Sequence, residues 1–273
     1  MALKFFVPAV ALTQLASSTL RGIGSAKTIV LTIVALSLAA WWLMAIDLPP
    51  AVAYLRSWMP ALLRGLWVNV QISVQAVAIG SLLGLGLGPA ALSPVRAVRA
   101  CARAYVQLFR NVPLLVLIYF TTYVFPFEIR VAAWTLPFPD IVKVVLGLAL
   151  PTSAYVAEIF RGAIQSIPSA QWEAAQSLAF RRTQIFRLVV LPQCLRRMLP
   201  PWMNFYASLT MSTSLASLMG VHELVDTAQI ASNTVGRTDF TICVYFALLA
   251  LFFMYCYPIA LLTRALEKRY DRH

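Results

Sequence analysis

The chain has 273 residues, of which 60% are hydrophobic and 12% charged, with 22 Lys and Arg against 10 Asp and Glu. Soluble domains carry about half apolar and a quarter charged residues, so this composition excludes an ordinary soluble domain and fits a membrane protein. The net charge of +12 fits a nucleic-acid binder only if the basic residues cluster on one face, and their spacing along the chain argues for membrane topology instead.

In chain order, residues 1–27 open with Lys4 and a short apolar run that contains Pro8 and is followed by Arg21 and Lys27. The run is too short and too broken for a span, and a full-length one follows, so an uncleaved cytoplasmic leader is expected rather than a removed signal peptide. A helix needs about 17 to 25 apolar residues to cross the hydrocarbon core. Residues 28–46, 141–160 and 240–263 meet this plainly. Three weaker segments join them: 65–92, which begins with Asn69, Gln71, Ser73 and Gln75; 105–127; and the hydroxyl-rich 202–221. The expected fold is all-α, a polytopic membrane protein with six spans. Gly80, Gly84 and Gly88, four apart, predict close helix packing. Glu158 and Arg161, three apart at the end of one span, are placed to pair on one helix face, either as a gate or as an ordinary interfacial ion pair.

With six spans, five basic residues (Arg56, Arg64, Arg130, Lys143 and Arg237) fall on one side, and all the other Lys and Arg fall on the side of the termini. The positive-inside rule therefore puts both termini in the cytoplasm and leaves no role for nucleic acid. Cys101, Cys194, Cys243 and Cys256 show no C-x-x-C spacing and no compartment in which all could pair. His222, in "HELVD", has no second ligand at helical spacing, so no metal site is expected.

A transporter needs an energy source, and each source requires its own residues. The chain has no Gly-Lys dipeptide and hence no phosphate-cradling loop. No carboxylate or histidine sits mid-span to relay protons, and no nucleophile-and-base constellation marks an enzyme. The energy must come from outside the chain, or the protein is a passive channel or facilitator.

The polar segment "QWEAAQSLAFRRTQIFRLVVLPQ", residues 171–193, gains meaning here. Ser169 is a potential helix cap, and 171–178 is helix-forming. A second helix is expected from about 182 to 191, with Ile185, Leu188 and Val189 on one face and Pro192 ending it. Exposed Trp172, Ala174, Ala175 and Leu178 suit another protein's groove; a helix pair lying on anionic lipid is the alternative.

"EAAQSLAFRRTQIFRLVVLP" resembles the EAA loop of ABC-importer permeases. "GLWVNVQISV", "AYVQLFRNVPLLVLIYF", "SAYVAEIFRGAIQSIPSAQWEAA", "LPQCLRRMLPP" and "STSLASLMGVHEL" are similar, in order and spacing, to blocks of polar amino-acid permeases. The resemblance implies a type I ABC importer permease domain over 60–270, with a coupling loop at 168–193 and the span 28–46 as an addition. It implies an ATP-binding ABC subunit as partner, which would hold ATP and magnesium while this chain binds no cofactor. A second permease copy or paralogue, a soluble binding protein, a polar amino acid as substrate and a bacterial inner membrane as lipid environment are implied as well. The coupling residues would be Trp172, Glu173, Ala174, Ala175, Leu178, Ala179, Phe186, Leu191 and Pro192. Two departures stand out. Ala179 occupies the loop's usual glycine position, where a left-handed conformation would cost alanine about 1–2 kcal/mol. Met211 and Ser212 replace a Lys-Asp pair common in relatives.

The pathway follows from physics too. Residues 202–221 carry Asn204, Ser208, Thr210, Ser212, Thr213, Ser214 and Ser217. Interhelical hydroxyl bonds explain some of these, but seven polar groups around one helix predict that it lines a solvated cavity.

Overall fold

The computed structural model describes residues 50–131 and 134–270, so the expected leader at 1–27 and span at 28–46 lie outside the described residues. Helix α1 (Pro50–Ala91) runs 42 residues, about 63 Å at 1.5 Å per residue, and starts well before the expected residue 65. Its glycines touch α4 (Asp140–Gln165). A Cβ on Gly80 would lie 2.5 Å from Thr152, on Gly84 2.6 Å from the Ser153 carbonyl, and on Gly88 2.6 Å from the Phe160 ring. These are the close approaches predicted from the four-residue spacing.

The expected continuous span 105–127 is corrected. It is two helices, α2 (Arg96–Asn111) and α3 (Leu114–Val124), bent by 104°. Pro113 is the cause, because it lacks an N–H and forces Val112 into extended backbone (φ −80°, ψ 133°). A short antiparallel ribbon follows, β1 (Glu128–Val131) with β2 (Trp134–Pro137), Glu128 opposite Pro137 and Val131 opposite Trp134. These are the only strands among the described residues. Lys143, at the start of α4, is fully buried; its ammonium sits 3.5 Å from the Phe127 ring centroid and 3.2 Å from Asp140.

α5 (Ser169–Ser177) leads to a short turn α6 (Arg182–Gln184), a π-helical turn at Ile185–Val190 and α7 (Leu191–Ser212). Helical structure is continuous from 182 to 212, so Pro192 does not end a helix as expected. The wider π turn just before it relieves the clash of the proline ring with the preceding turn. The same turn rotates the predicted face. Ile185 and Val190 are buried while Leu188 is 64% exposed.

The hydroxyl-rich segment is corrected as well: α7 stops at Ser212, a 3₁₀ turn occupies Thr213–Met219, and Gly220 takes φ 76°. α8 (Leu224–Val235) and α9 (Thr238–Tyr270) complete the chain. α1, α4 and residues Thr238–Lys268 are long and apolar enough to span a membrane, and the bent α2–α3 pair makes a fourth candidate. α7 does not meet that test, because Arg196 and Arg197 share the helix with the hydroxyls. The central core joins Ile72, Ile118, Val144, Leu148, Leu209 and Ala216, contributed by α1, α3, α4, α7 and the 3₁₀ turn.

The 3₁₀ turn is held by a buried polar network. Asn69 of α1 donates to Thr213 (3.0 Å) and to Glu223 Oε2 (2.8 Å), and its carbonyl accepts from the Leu224 N–H (3.1 Å). Glu223 Oε1 accepts the N–H groups of Val225 and Asp226 and so caps α8. Gly65 makes this junction possible, since a Cβ there would meet the Glu223–Leu224 backbone at 2.9 Å.

Candidate functional site

Two assemblies hold the residues singled out from the sequence: the polar loop and a cavity between α2, α4 and α7.

In the loop, Ser169 is the first residue of α5 and not its cap; Pro168 precedes it, with no side-chain cap. The end of α5 closes through two bonds. The Ala179 N–H donates to Gln176 O (2.9 Å) and the Phe180 N–H to Ala175 O (3.2 Å), the Schellman pattern in which the residue after the cap is left-handed. That residue is Ala179, at φ 56°. Alanine thus occupies the glycine geometry and does not turn by another route. Contrary to its expected exposure, Ala175 is buried; it packs with Phe160, Ile167, Ile185, Val190 and Cys194, with Trp172, Phe186 and Leu191 half-buried around them. Burial pushes the Cys194 thiol above its ordinary range. Glu173, Ala174 and Leu178 remain exposed, Leu178 at 70%. The outward surface of the loop is therefore narrower than the sequence reading assumed: Trp172 and Ala175 serve the loop's own core, because α5 packs onto the end of α4 and onto the π turn.

The cavity, about 330 Å³, is lined from α2 by Phe109 and Arg110, from the bend by Val112 and Leu114, from α4 by Pro151 and Tyr155, and from α7 by Phe205, Ser208, Leu209 and Ser212. The α2–α3 bend opens it, because Pro113 carries α3 away from the direction of α2. Of the seven predicted pathway residues, Ser208 and Ser212 line this space. Thr210 and Thr213 are buried in packing, bonded to helix carbonyls and, for Thr213, to Asn69. Ser214 and Ser217 bond back to Met211 and Ser214 carbonyls, and Asn204 is exposed but is not among the lining residues.

The charge count along the sequence assigns Arg110 to the side of the termini, although it falls inside the expected span 105–127. The guanidinium lies 5.3 Å from the Tyr155 ring centroid, and Tyr155 stacks on Phe205 at 4.7 Å. A charge in an apolar segment is a functional signal by default, and "LFRNVPLL" carried it. Glu158 and Arg161 form the expected pair: Arg161 Nε donates to Glu158 Oε2 at 3.0 Å and Nη2 reaches Oε1. Arg110 approaches the same carboxylate at 3.6 Å. A second space of about 320 Å³ lies there, lined by Arg103, Gln107, Arg110, Glu158 and Arg161. His222 pairs with Asp226 at 2.6 Å.

Residues 76–272 match the family described as the inner membrane component of binding-protein-dependent transport systems. The octopine transport system permease protein OccM of Rhizobium radiobacter is 34% identical, covering 79% of this chain and 88% of that protein. The probable amino-acid ABC transporter permease YckA of Bacillus subtilis is 32% identical over 78% of this chain and 91% of its own. Among solved structures, an amino acid ABC transporter crystallised with histidines superposes with a TM-score of 0.69 at 26% identity, covering 79% of this chain and 96% of that one. The inward-facing MetNI methionine transporter shares the fold, with a TM-score of 0.55 at 17% identity over 76% and 97%. A multi-pass helical permease subunit is what the fold and these likenesses define. The chain belongs to the family of binding-protein-dependent ABC-transporter permeases, which are transport subunits and not enzymes.

Proposed function

We propose that this chain is the permease through which a polar amino acid, delivered by a soluble binding protein, crosses a bacterial inner membrane. ATP and magnesium bind a separate ATPase subunit, which docks on the exposed face of α5 and moves the spans, and a second copy or paralogue of the permease completes the path. Relatives described as a probable amino-acid permease, an L-cystine permease and an octopine permease support the substrate class.

The observation that carries the reading is the cavity of about 330 Å³ between α2, α4 and α7, within the roughly 300–1,000 Å³ range of small-molecule sites. An amino acid in the membrane must keep its two charged groups hydrogen-bonded, since an unpaired polar group in hydrocarbon costs several kcal/mol. Ser208, Ser212 and Arg110 offer polar partners there, and Tyr155 and Phe205 offer apolar surface. The test is uptake by the complex reconstituted with its ATPase and binding protein, using Ser212→Trp to fill the cavity. The complex assembles and hydrolyses ATP but transports no amino acid. Undiminished uptake by a stable Ser212→Trp complex would place the path elsewhere.

A further inference from the structure

We propose that Arg110 is the residue that binds the substrate's α-carboxylate, and that the site it anchors takes amino acids whose side chains carry no positive charge. The inference rests on the permease reading and adds the substrate class. Among the described residues that line the cavity, Arg110 is the one charged side chain; the others are aromatic, aliphatic or hydroxyl-bearing. A zwitterion entering this space thus finds a single full charge to oppose, and only the carboxylate opposes it.

Three features of Arg110 suit it to this task. It has no hydrogen bond to any of the described residues, and its nearest carboxylate oxygen, Glu158 Oε1, lies 3.6 Å away, beyond hydrogen-bond range. That carboxylate is already held by Arg161 through two bonds on its own helix, so Glu158 is a weak competitor for Arg110. The guanidinium is held beside the Tyr155 ring, itself stacked on Phe205, which orients its planar fork of donors without using them. An arginine fork matches a carboxylate with two parallel bonds.

Arg110 also borders both spaces, the aromatic cavity on one side and the polar one lined by Arg103, Gln107, Glu158 and Arg161 on the other. Arg103, Gln107 and Arg110 recur at helical spacing, so they share one face of α2. A carboxylate leaving Arg110 meets Gln107 and then Arg103 one and two turns along. The cavity offers no carboxylate to a lysine- or arginine-like side chain, and Tyr155, the ring best placed to receive a cation, already faces Arg110.

The test uses the full chain in lipid nanodiscs, with its four native cysteines changed to alanine and a Ser208→Cys probe in the cavity. The rate at which an uncharged hydrophilic methanethiosulfonate modifies that cysteine is measured with each L-amino acid and with the corresponding amino-acid amides. Uncharged L-amino acids slow modification, their amides protect about tenfold less or worse, and L-arginine does not protect. Arg110→Gln abolishes protection and Arg110→Lys keeps part of it. Adding Ser212→Asp, which supplies the missing carboxylate, lets L-arginine protect. Equal protection by acids and amides, or full protection in Arg110→Gln, would overturn the assignment and leave the cavity as the path. Protection by L-arginine without Ser212→Asp would overturn the substrate class. A reactive cysteine that no amino acid protects overturns the inference alone, whereas a cysteine that never reacts overturns the pathway reading along with it.

Discussion

Ala179 shows how one residue can report a backbone requirement. A left-handed alanine costs about 1–2 kcal/mol relative to glycine, and the two Schellman bonds leave it no alternative. Ala179→Gly therefore raises the unfolding free energy of the loop by about 1 kcal/mol, seen as a higher melting temperature in detergent with uptake unchanged. A lower melting temperature would show that the turn tolerates alanine without strain. Glu223 poses a contest between burial and donors. It is fully buried, and burial pushes its carboxyl above the usual range against the pull of bonds from Val225, Asn69 and Asp226. A carboxyl whose folded value is raised gives stability that is present in full below its unfolded value of about 4.3 and is lost as pH rises through the folded value. Glu223→Gln imitates the neutral form, so its melting temperature matches the parent near pH 4 and exceeds it increasingly toward pH 8. A parent that gains on the variant as pH rises would mean that the three donors outweigh burial.

At the scale of elements, the loop proposed to dock the ATPase divides into an inner and an outer face. Ala175→Trp overpacks the cluster of Phe160, Ile185 and Val190 and lowers stability by about 1–3 kcal/mol, whereas Leu178→Asp leaves the melting temperature alone and weakens capture of the ATPase roughly tenfold, about 1.4 kcal/mol. Thermal melts and co-purification separate the two; loss of ATPase capture by neither variant would remove α5 as the docking element. The sequence made the helices legible through long apolar runs, and the glycine spacing of α1 through its period of four. It hid the π turn and the buried side of α5, because both depend on how the loop packs on α4, and no local period encodes that contact. Pro113 was visible as a helix breaker, but the apolar residues on either side made one span of what the proline divides. Two of the cavity's lining residues, Ser208 and Ser212, were readable from the hydroxyls of α7. Arg110 is legible in the sequence as a cation inside the segment 105–127, but its charge serves the topology count equally well, so the sequence alone does not mark it as part of the cavity.

For the whole molecule, the distribution of Lys and Arg predicts that the loop beginning at Ser169 faces the cytoplasm. A Ser169→Cys chain stays unlabelled when intact cells receive an impermeant maleimide and is labelled after permeabilisation; labelling from outside would invert the topology. The central claim is that the space lined by Arg110, Tyr155, Ser208 and Ser212 is a path opened and closed by a partner's ATP cycle. Its most direct measurement is the reactivity of Ser212→Cys toward a small hydrophilic thiol reagent supplied from the cytoplasmic side, in the reconstituted complex, resting and then trapped with ATP and vanadate. The account predicts fast modification at rest and strong suppression in the trapped state. Equal rates in both states would contradict it.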